Sequence, residues 1–192
     1  MKRFLSLVIV LLLFVLSGCE TKSKSFEELL DELNEFKNYS MILKNKTNTG
    51  YSREIHIRED ADIILFRNEQ KWPDMVDLEV VYFSGGYMYY YEDFKWDKKE
   101  YPKPELRKEF FDPFRLKIEW FEEADGKFIL IEDKYADFYD SQEFRKDLKI
   151  DLYIEKNSIV INLLPEEDNI EEYQIIIKDI NKTNLKLPEL ND

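Results

Sequence analysis

The chain has 192 residues, of which 41 are acidic and 28 basic, for a formal charge of −13; 44% of its residues are hydrophobic and 15% aromatic. That length suits one domain burying roughly two-thirds of its unfolded surface, and so aromatic a composition excludes a disordered chain. The charge disfavours nucleic acid as a partner, and broadly any anionic surface, while the single cysteine, Cys19, leaves the core to be held by packing without disulfides.

The chain opens with Lys2 and Arg3, continues through an apolar run from Phe4 to Leu16 broken only by Ser6, and closes on Ser17-Gly18-Cys19. A charged, then apolar, then small-residue order is that of a secretory signal. As a helix the run reaches about 20 Å, short of a hydrocarbon core of roughly 30 Å, so a retained membrane span is the weaker expectation. Leu16-Ser17-Gly18-Cys19 resembles the lipobox of bacterial lipoproteins. The resemblance implies cleavage between Gly18 and Cys19, a diacylglyceryl group on the Cys19 sulfur, and a mature protein tied to the membrane through Cys19, on its extracytoplasmic face. Two or more acyl chains anchor a protein stably where one does not. The expected organisation is therefore a signal peptide over 1–18, a lipidated tether over 19–25 with the polar stretch Thr21-Lys22-Ser23-Lys24, and a single domain over 26–192.

Ser25-Phe26-Glu27-Glu28 has the spacing of a capping box. Phe26, Leu29, Leu30, Leu33 and Phe36 follow at helical spacing with acids between them, predicting an amphipathic helix over 26–37. The period then changes. Strands are expected over 39–44, 52–58, 62–67, 78–84 and 87–91, with Asn48-Thr49-Gly50 as a turn and Gly85-Gly86 as a tight hairpin. Tyr101-Pro102-Lys103-Pro104 breaks the pattern, because proline removes a ladder donor and restricts its neighbour; a short helix over 105–111 follows. Beyond Asp112-Pro113, strands are expected over 116–122, 128–133, 148–155, 159–164 and 172–180, with Asp125-Gly126 and Lys156-Asn157 as hairpin turns. Residues 134–146 show no clean period and read as loop with at most a turn of helix.

About ten hairpin-linked strands after one helix predict an α+β domain with an antiparallel sheet. The N-terminal helix, the hairpin Tyr82-Phe83-Ser84-Gly85-Gly86-Tyr87-Met88-Tyr89 and the closing Ile180-Asn181-Lys182-Thr183-Asn184-Leu185-Lys186-Leu187-Pro188 together resemble the LolA and LppX class of lipoprotein carriers. That resemblance covers most of residues 25–188 and implies a curved antiparallel half-barrel, with the N-terminal amphipathic helix packed on it and a cavity for a lipid-like ligand.

Chemistry-bearing motifs are sparse. His56, in Ser-Arg-Glu-Ile-His-Ile-Arg, shares a strand face with Glu54 and Arg58 that should be solvated, and no G-x-S-x-G elbow accompanies it. The acidic clusters Glu59-Asp60-Ala61-Asp62, Asp133 with Asp137 and Asp140, and Glu166-Glu167-Asp168 lack the spacing of a calcium loop and read as solvated turns. Neither a phosphate loop nor G-x-G-x-x-G occurs, so no cofactor, no metal and no catalytic role are expected. Tyr87 to Tyr91 reads either as a sugar platform or, more often, as cross-strand pairs.

What remains is an apolar surplus. Ile63-Ile64-Leu65-Phe66, Val80-Val81-Tyr82-Phe83, Phe128-Ile129-Leu130-Ile131, Ile159-Val160-Ile161 and Ile175-Ile176-Ile177 do not alternate, whereas a sheet with one solvated face should. A Gly85-Gly86 turn places Val81, Phe83, Met88 and Tyr90 on one face and Val80, Tyr82, Tyr89 and Tyr91 on the other. A sheet greasy on both faces curls on itself, meets a partner or holds a ligand. The expected function is an anchored lipoprotein binding a hydrophobic ligand; the alternative is a displayed protein-interaction lipoprotein with no small molecule.

Overall fold

The computed structural model describes residues 24–36, 38–60, 62–142, 148–165 and 170–190. The lipobox, with Gly18 and Cys19, and the cluster Glu166-Glu167-Asp168 lie outside them.

Helix α1 (Phe26–Phe36) begins where the capping box put it. Ser25 N donates to Glu28 Oε2 at 2.7 Å, and Glu28 N donates to Ser25 Oγ at 3.2 Å. Its stripe of Phe26, Leu29, Leu30 and Leu33 is buried. Six strands follow as successive hairpins: β1 (Tyr39–Thr47), β2 (Ser52–Asp60), β3 (Ile63–Trp72), β4 (Met75–Ser84), β5 (Tyr87–Glu92) and β6 (Lys95–Glu100). The chain next crosses to the opposite edge through α2 (Leu106–Phe110) and two 3-10 turns, Pro113–Arg115 and Ile118–Trp120. There β7 (Phe121–Ala124) and β8 (Lys127–Leu130) pair, α3 (Tyr135–Gln142) follows, and β9 (Leu148–Glu155), β10 (Ser158–Pro165) and β11 (Ile170–Lys178) lead back to β1.

Among the described residues these eleven strands form one antiparallel sheet, ordered β6-β5-β4-β3-β2-β1-β11-β10-β9-β8-β7. The turns Gly85-Gly86, Asp93-Phe94, Asp125-Gly126 and Lys156-Asn157 have positive φ at both residues, the twist that two-residue hairpins prefer. Pairing of β1 with β11 (Leu43 opposite Ile175, Met41 opposite Ile177) joins the N-terminal meander to the C-terminal one.

The register sorts the apolar residues onto an inner face. Tyr39, Met41 and Leu43, then Ile55 and Ile57, Ile64 and Phe66, Val81 and Phe83 continue across β1 to β4, while Ile175, Ile177, Ile159, Ile161 and Leu152 carry the same face through β11, β10 and β9. All are buried. Two elements cover that face. Helix α1 packs on β10 and the first 3-10 turn, with the Phe26 ring 5.8 Å from Phe121 and 5.0 Å from Phe128. The crossover of residues 101–120 lays Tyr101 on Phe83, Phe110 on Phe66 and Phe114 on Tyr39, with centroids 5.5–5.9 Å apart. It is locked to α3 by a buried exchange: Asp112 N donates to Gln142 Oε1 at 2.9 Å, and Gln142 Nε2 donates to the Asp112 carbonyl at 3.0 Å. The closing segment docks through Thr183, whose N–H donates to Asn38 Oδ1 while Asn38 Nδ2 donates to its carbonyl, both at 2.8 Å.

The fold class is thereby corrected. An α+β domain, with a curved half-barrel and an N-terminal helix packed on it, was the expectation; the described residues instead form an open antiparallel sheet of eleven strands whose helices are few and short, and whose edges, β6 and β7, never meet. The reason is one of area. An 11-residue helix extends only about 16 Å, whereas eleven strands spaced about 4.8 Å apart span several times that width. Much of the cover is the irregular crossover, which carries no helical period over most of its length.

Three local expectations also change. The strand over 116–122 gives way to the 3-10 turn Ile118–Trp120, with β7 starting only at Phe121, because the buried residues Leu116, Trp120 and Phe121 do not alternate. Residues 135–142 form a helix burying Phe138, Tyr139 and Gln142. Strand β6 was not expected at all, since Lys-Trp-Asp-Lys-Lys-Glu is almost entirely charged. Lysine on an unpaired edge blocks strand addition, which suits β6 to its place.

A candidate ligand cleft at the open edge of the sheet

The inner face is well covered over its first part and bare beyond it. Past Phe66 and Val81, β3 continues inward with Asn68 and Gln70 and β4 with Glu79 and Asp77, neither of which makes a greasy seat for the crossover. There the strands β4, β5 and β6 line a wide-open cleft of about 750 Å³. Val81, Met88 and Tyr90 are its apolar floor, placed on one face by the pairings Val81 opposite Tyr90 and Phe83 opposite Met88. Leu78, Val80, Tyr91 and Trp96, which the register assigns to the other face, complete the lining along the open edge, and Glu79, Glu92 and Lys99 are its charged members.

The Lys99 ammonium lies 5.4 Å from the centroid of the Tyr90 ring, an attraction of about 0.5–1 kcal/mol at an exposed site. Loss of water around the Tyr90 phenol raises its pKa above the ordinary tyrosine value, and the nearby carboxylates of Asp97 and Glu92 push it further the same way. The phenol therefore stays protonated and is a hydrogen-bond donor as well as an apolar wall.

The aromatic run of β5 divides as its period requires. Met88 and Tyr90 face inward, while Tyr82 pairs with Tyr89 on the outer face. Trp96 packs edge-on against Tyr82 and Tyr91, each at 5.5 Å between centroids, so part of the outer-face surplus is covered by the strand itself. These are cross-strand pairs, and the residues do not form one platform.

His56 stands opposite Arg67 on the outer face and its Nε2 lies 3.1 Å from Glu54 Oε2. It belongs to a charged ladder that continues through Glu69, which contacts both Arg67 and Lys71. A hydrogen bond from Lys71 holds the Glu69 carboxyl below the ordinary glutamate range; its partial burial opposes this, and Arg67 adds to it. Of the acids at 59–62, Glu59 and Asp60 are structural: Asp60 accepts from Asn38 Nδ2 and from Leu185 N, and Glu59 meets Lys103 and the Tyr39 hydroxyl. Among the described residues no group of three or more His, Cys, Asp or Glu side chains has the arrangement of a metal site.

Glu79, Trp96 and Lys99 had no counterpart in the sequence reading as site residues. Their signal is faint: Trp96 and Lys99 sit in the charged strand that hydropathy alone passes over, and Glu79 interrupts Leu78 and Val80.

No family model matches this chain, and no curated protein matches it. Among solved structures it is similar to the crystal structure of LprF from Mycobacterium bovis, at 12% identity and a TM-score of 0.41, over 87% of this chain and 98% of that one. At that distance the likeness adds nothing to what the geometry supports by itself. Among the described residues no helix is long and apolar enough to cross a membrane.

Proposed function

We propose that this chain is a membrane-anchored, extracytoplasmic lipoprotein, non-catalytic, that binds a hydrophobic, lipid-like ligand in the cleft between β4 and β6. The cleft carries the reading: an apolar floor of Val81, Met88 and Tyr90 on the face that elsewhere forms the core, left open where α1 and the crossover end. Its volume is in the range of pockets that take drug-sized molecules, about 300–1,000 Å³. The anchoring half rests on Leu16-Ser17-Gly18-Cys19.

Each half has its own test. Protein purified from its native membrane should release close to one lipid per chain into organic solvent, read by mass spectrometry; a clean, lipid-free protein sinks the ligand reading. Metabolic labelling with a fatty acid should disappear in Cys19→Ala, and labelling that persists there removes the anchor from Cys19.

A second reading, a displayed interaction protein with no small molecule, is favoured by one observation. Met75, Val76, Leu78, Tyr91 and Phe94 are exposed at neighbouring hairpin ends. An apolar patch on a monomer is a common mark of an interface. Under that reading a partner protein copurifies in place of lipid.

A further inference from the structure

The start of α1 is tied to one point of the surface. Lys24 N donates to Asn157 Oδ1 at 3.0 Å, and the Lys24 ammonium contacts Glu32 of α1. The chain running back toward Cys19 therefore leaves the domain beside the β9–β10 turn, Lys156-Asn157. Cys19 lies five residues before Lys24, and five residues reach at most about 17 Å when fully extended. A lipid on Cys19 holds that residue at the bilayer surface, so the β9–β10 turn stands no farther from the headgroups than about that reach.

The same end of the sheet is a polar surface. Lys24, Lys156, Lys178 and Lys182 line a shallow depression of about 100 Å³ together with the acids Glu32 and Asp179. Lys24 is taken up by Glu32, and among the described residues Lys156, Lys178 and Lys182 make no ion pair. Lys178 faces Ser40 of β1, and Glu155, opposite Ser158, is a third acid beside them. In a chain of charge −13 this end is not acidic, and it escapes the repulsion that an acidic surface meets at lipid phosphates. Its backbone is pinned: Lys182 N donates to the Asp179 carbonyl at 2.9 Å and Thr183 N to Asn38 Oδ1 at 2.8 Å. Among the described residues no exposed large hydrophobic side chain lines it, which suits the headgroup layer and not the hydrocarbon below.

We propose that the end of the sheet formed by the β9–β10 turn and residues 178–182 is the membrane-facing surface of the domain, seated in the headgroup layer with Lys156, Lys178 and Lys182 on lipid phosphates. This rests on the Cys19 anchor proposed above and adds the orientation that so short a tether imposes.

Cys19 is the chain's single cysteine, so once it carries lipid an introduced cysteine is the only thiol. The full lipidated chain is labelled with a fluorophore at Lys156→Cys, or at Thr49→Cys in the turn after β1. Thr49 is nine residues along from Ser40, the partner of Lys178, and so about 30 Å from that end of the sheet. Each labelled chain is reconstituted in phosphatidylcholine vesicles carrying a nitroxide on the headgroup or midway along the acyl chain. The headgroup nitroxide should remove most of the fluorescence at position 156 and little at 49, and the mid-chain nitroxide little at either. Lys178→Glu with Lys182→Glu should weaken the headgroup quenching at 156; unchanged quenching takes the lysines off the phosphates. Headgroup quenching that is equal at the two positions, or stronger at 49, overturns the orientation, and strong mid-chain quenching at 156 overturns the headgroup seat; in both cases a vesicle-bound chain leaves the anchor standing. A chain that takes up no fatty acid and stays off the vesicles overturns anchor and orientation together.

Discussion

The two ends of the sheet are built from similar residues and treated differently. Around β10 and β11, Ile159, Ile161, Leu163, Ile175 and Ile177 are all at 0% exposure, enclosed by α1 and by the strands to either side. Along β4 and β5, Val76 is at 61%, Leu78 at 52% and Tyr91 at 56%, and Phe94 stands at 92% in the hairpin turn. Hydrophobicity alone does not separate these regions. What differs is cover: α1 lies over β10, and the crossover reaches as far as Phe66 and Phe83 and stops. Apolar surface that a monomer leaves uncovered is a feature to be explained by function, whereas the buried isoleucines are explained by stability alone.

The comparison breaks first at the core. Ile161→Ala should cost about 2–5 kcal/mol in denaturant unfolding, and Leu33→Ala a similar amount, as cavities in a packed interior do, while Leu78→Ala should change stability by less than about 0.5 kcal/mol. Comparable losses at all three positions would show that the hairpin end is packed against something the fold alone does not reveal.

The β5–β6 turn sharpens it. Phe94 has a φ of +64°, a left-handed conformation that costs a residue with a Cβ roughly 1–2 kcal/mol, and its ring gains almost no burial in return. Phe94→Gly should therefore stabilise the chain by about 1 kcal/mol, since Asp-Gly is a favoured two-residue hairpin turn. A loss of stability on that change would mean the ring is packed.

The smallest effect lies on the outer face. The Glu69 carboxyl is held below its ordinary pKa, chiefly by Lys71, so the stability it confers is present above the unfolded-state value and is lost as the pH falls through the folded one. The wild type should lose thermal stability on acidification slightly more steeply than Glu69→Gln; parallel acid profiles would remove that contribution.

Legibility in the sequence followed the same division. Where one face is buried and one solvated, as in β1 and β2, alternation located the strands, and the facing of Val81 with Tyr90 and of Phe83 with Met88 followed from the Gly85-Gly86 turn. The capping box located the start of α1 because its two hydrogen bonds are local. The crossover was opaque, since its buried residues, Leu106, Phe111, Leu116 and Trp120, answer to the sheet beneath them and obey no period of their own. Strand β6 was hidden for the opposite reason: it is an edge whose lysines face water, and hydropathy registers only what is buried. The cleft inherited that blindness, for two of its lining residues, Trp96 and Lys99, are on β6.

The most direct measurement compares the lipid carried by wild type and by Met88→Trp, both purified from the native membrane. Met88 is half-buried on the cleft floor, and a larger ring there should fill the cleft while the core under α1 is untouched. Close to one lipid per chain in the wild type and almost none in a Met88→Trp protein of unchanged melting temperature is the predicted result; equal lipid in both would place any ligand elsewhere and contradict the account.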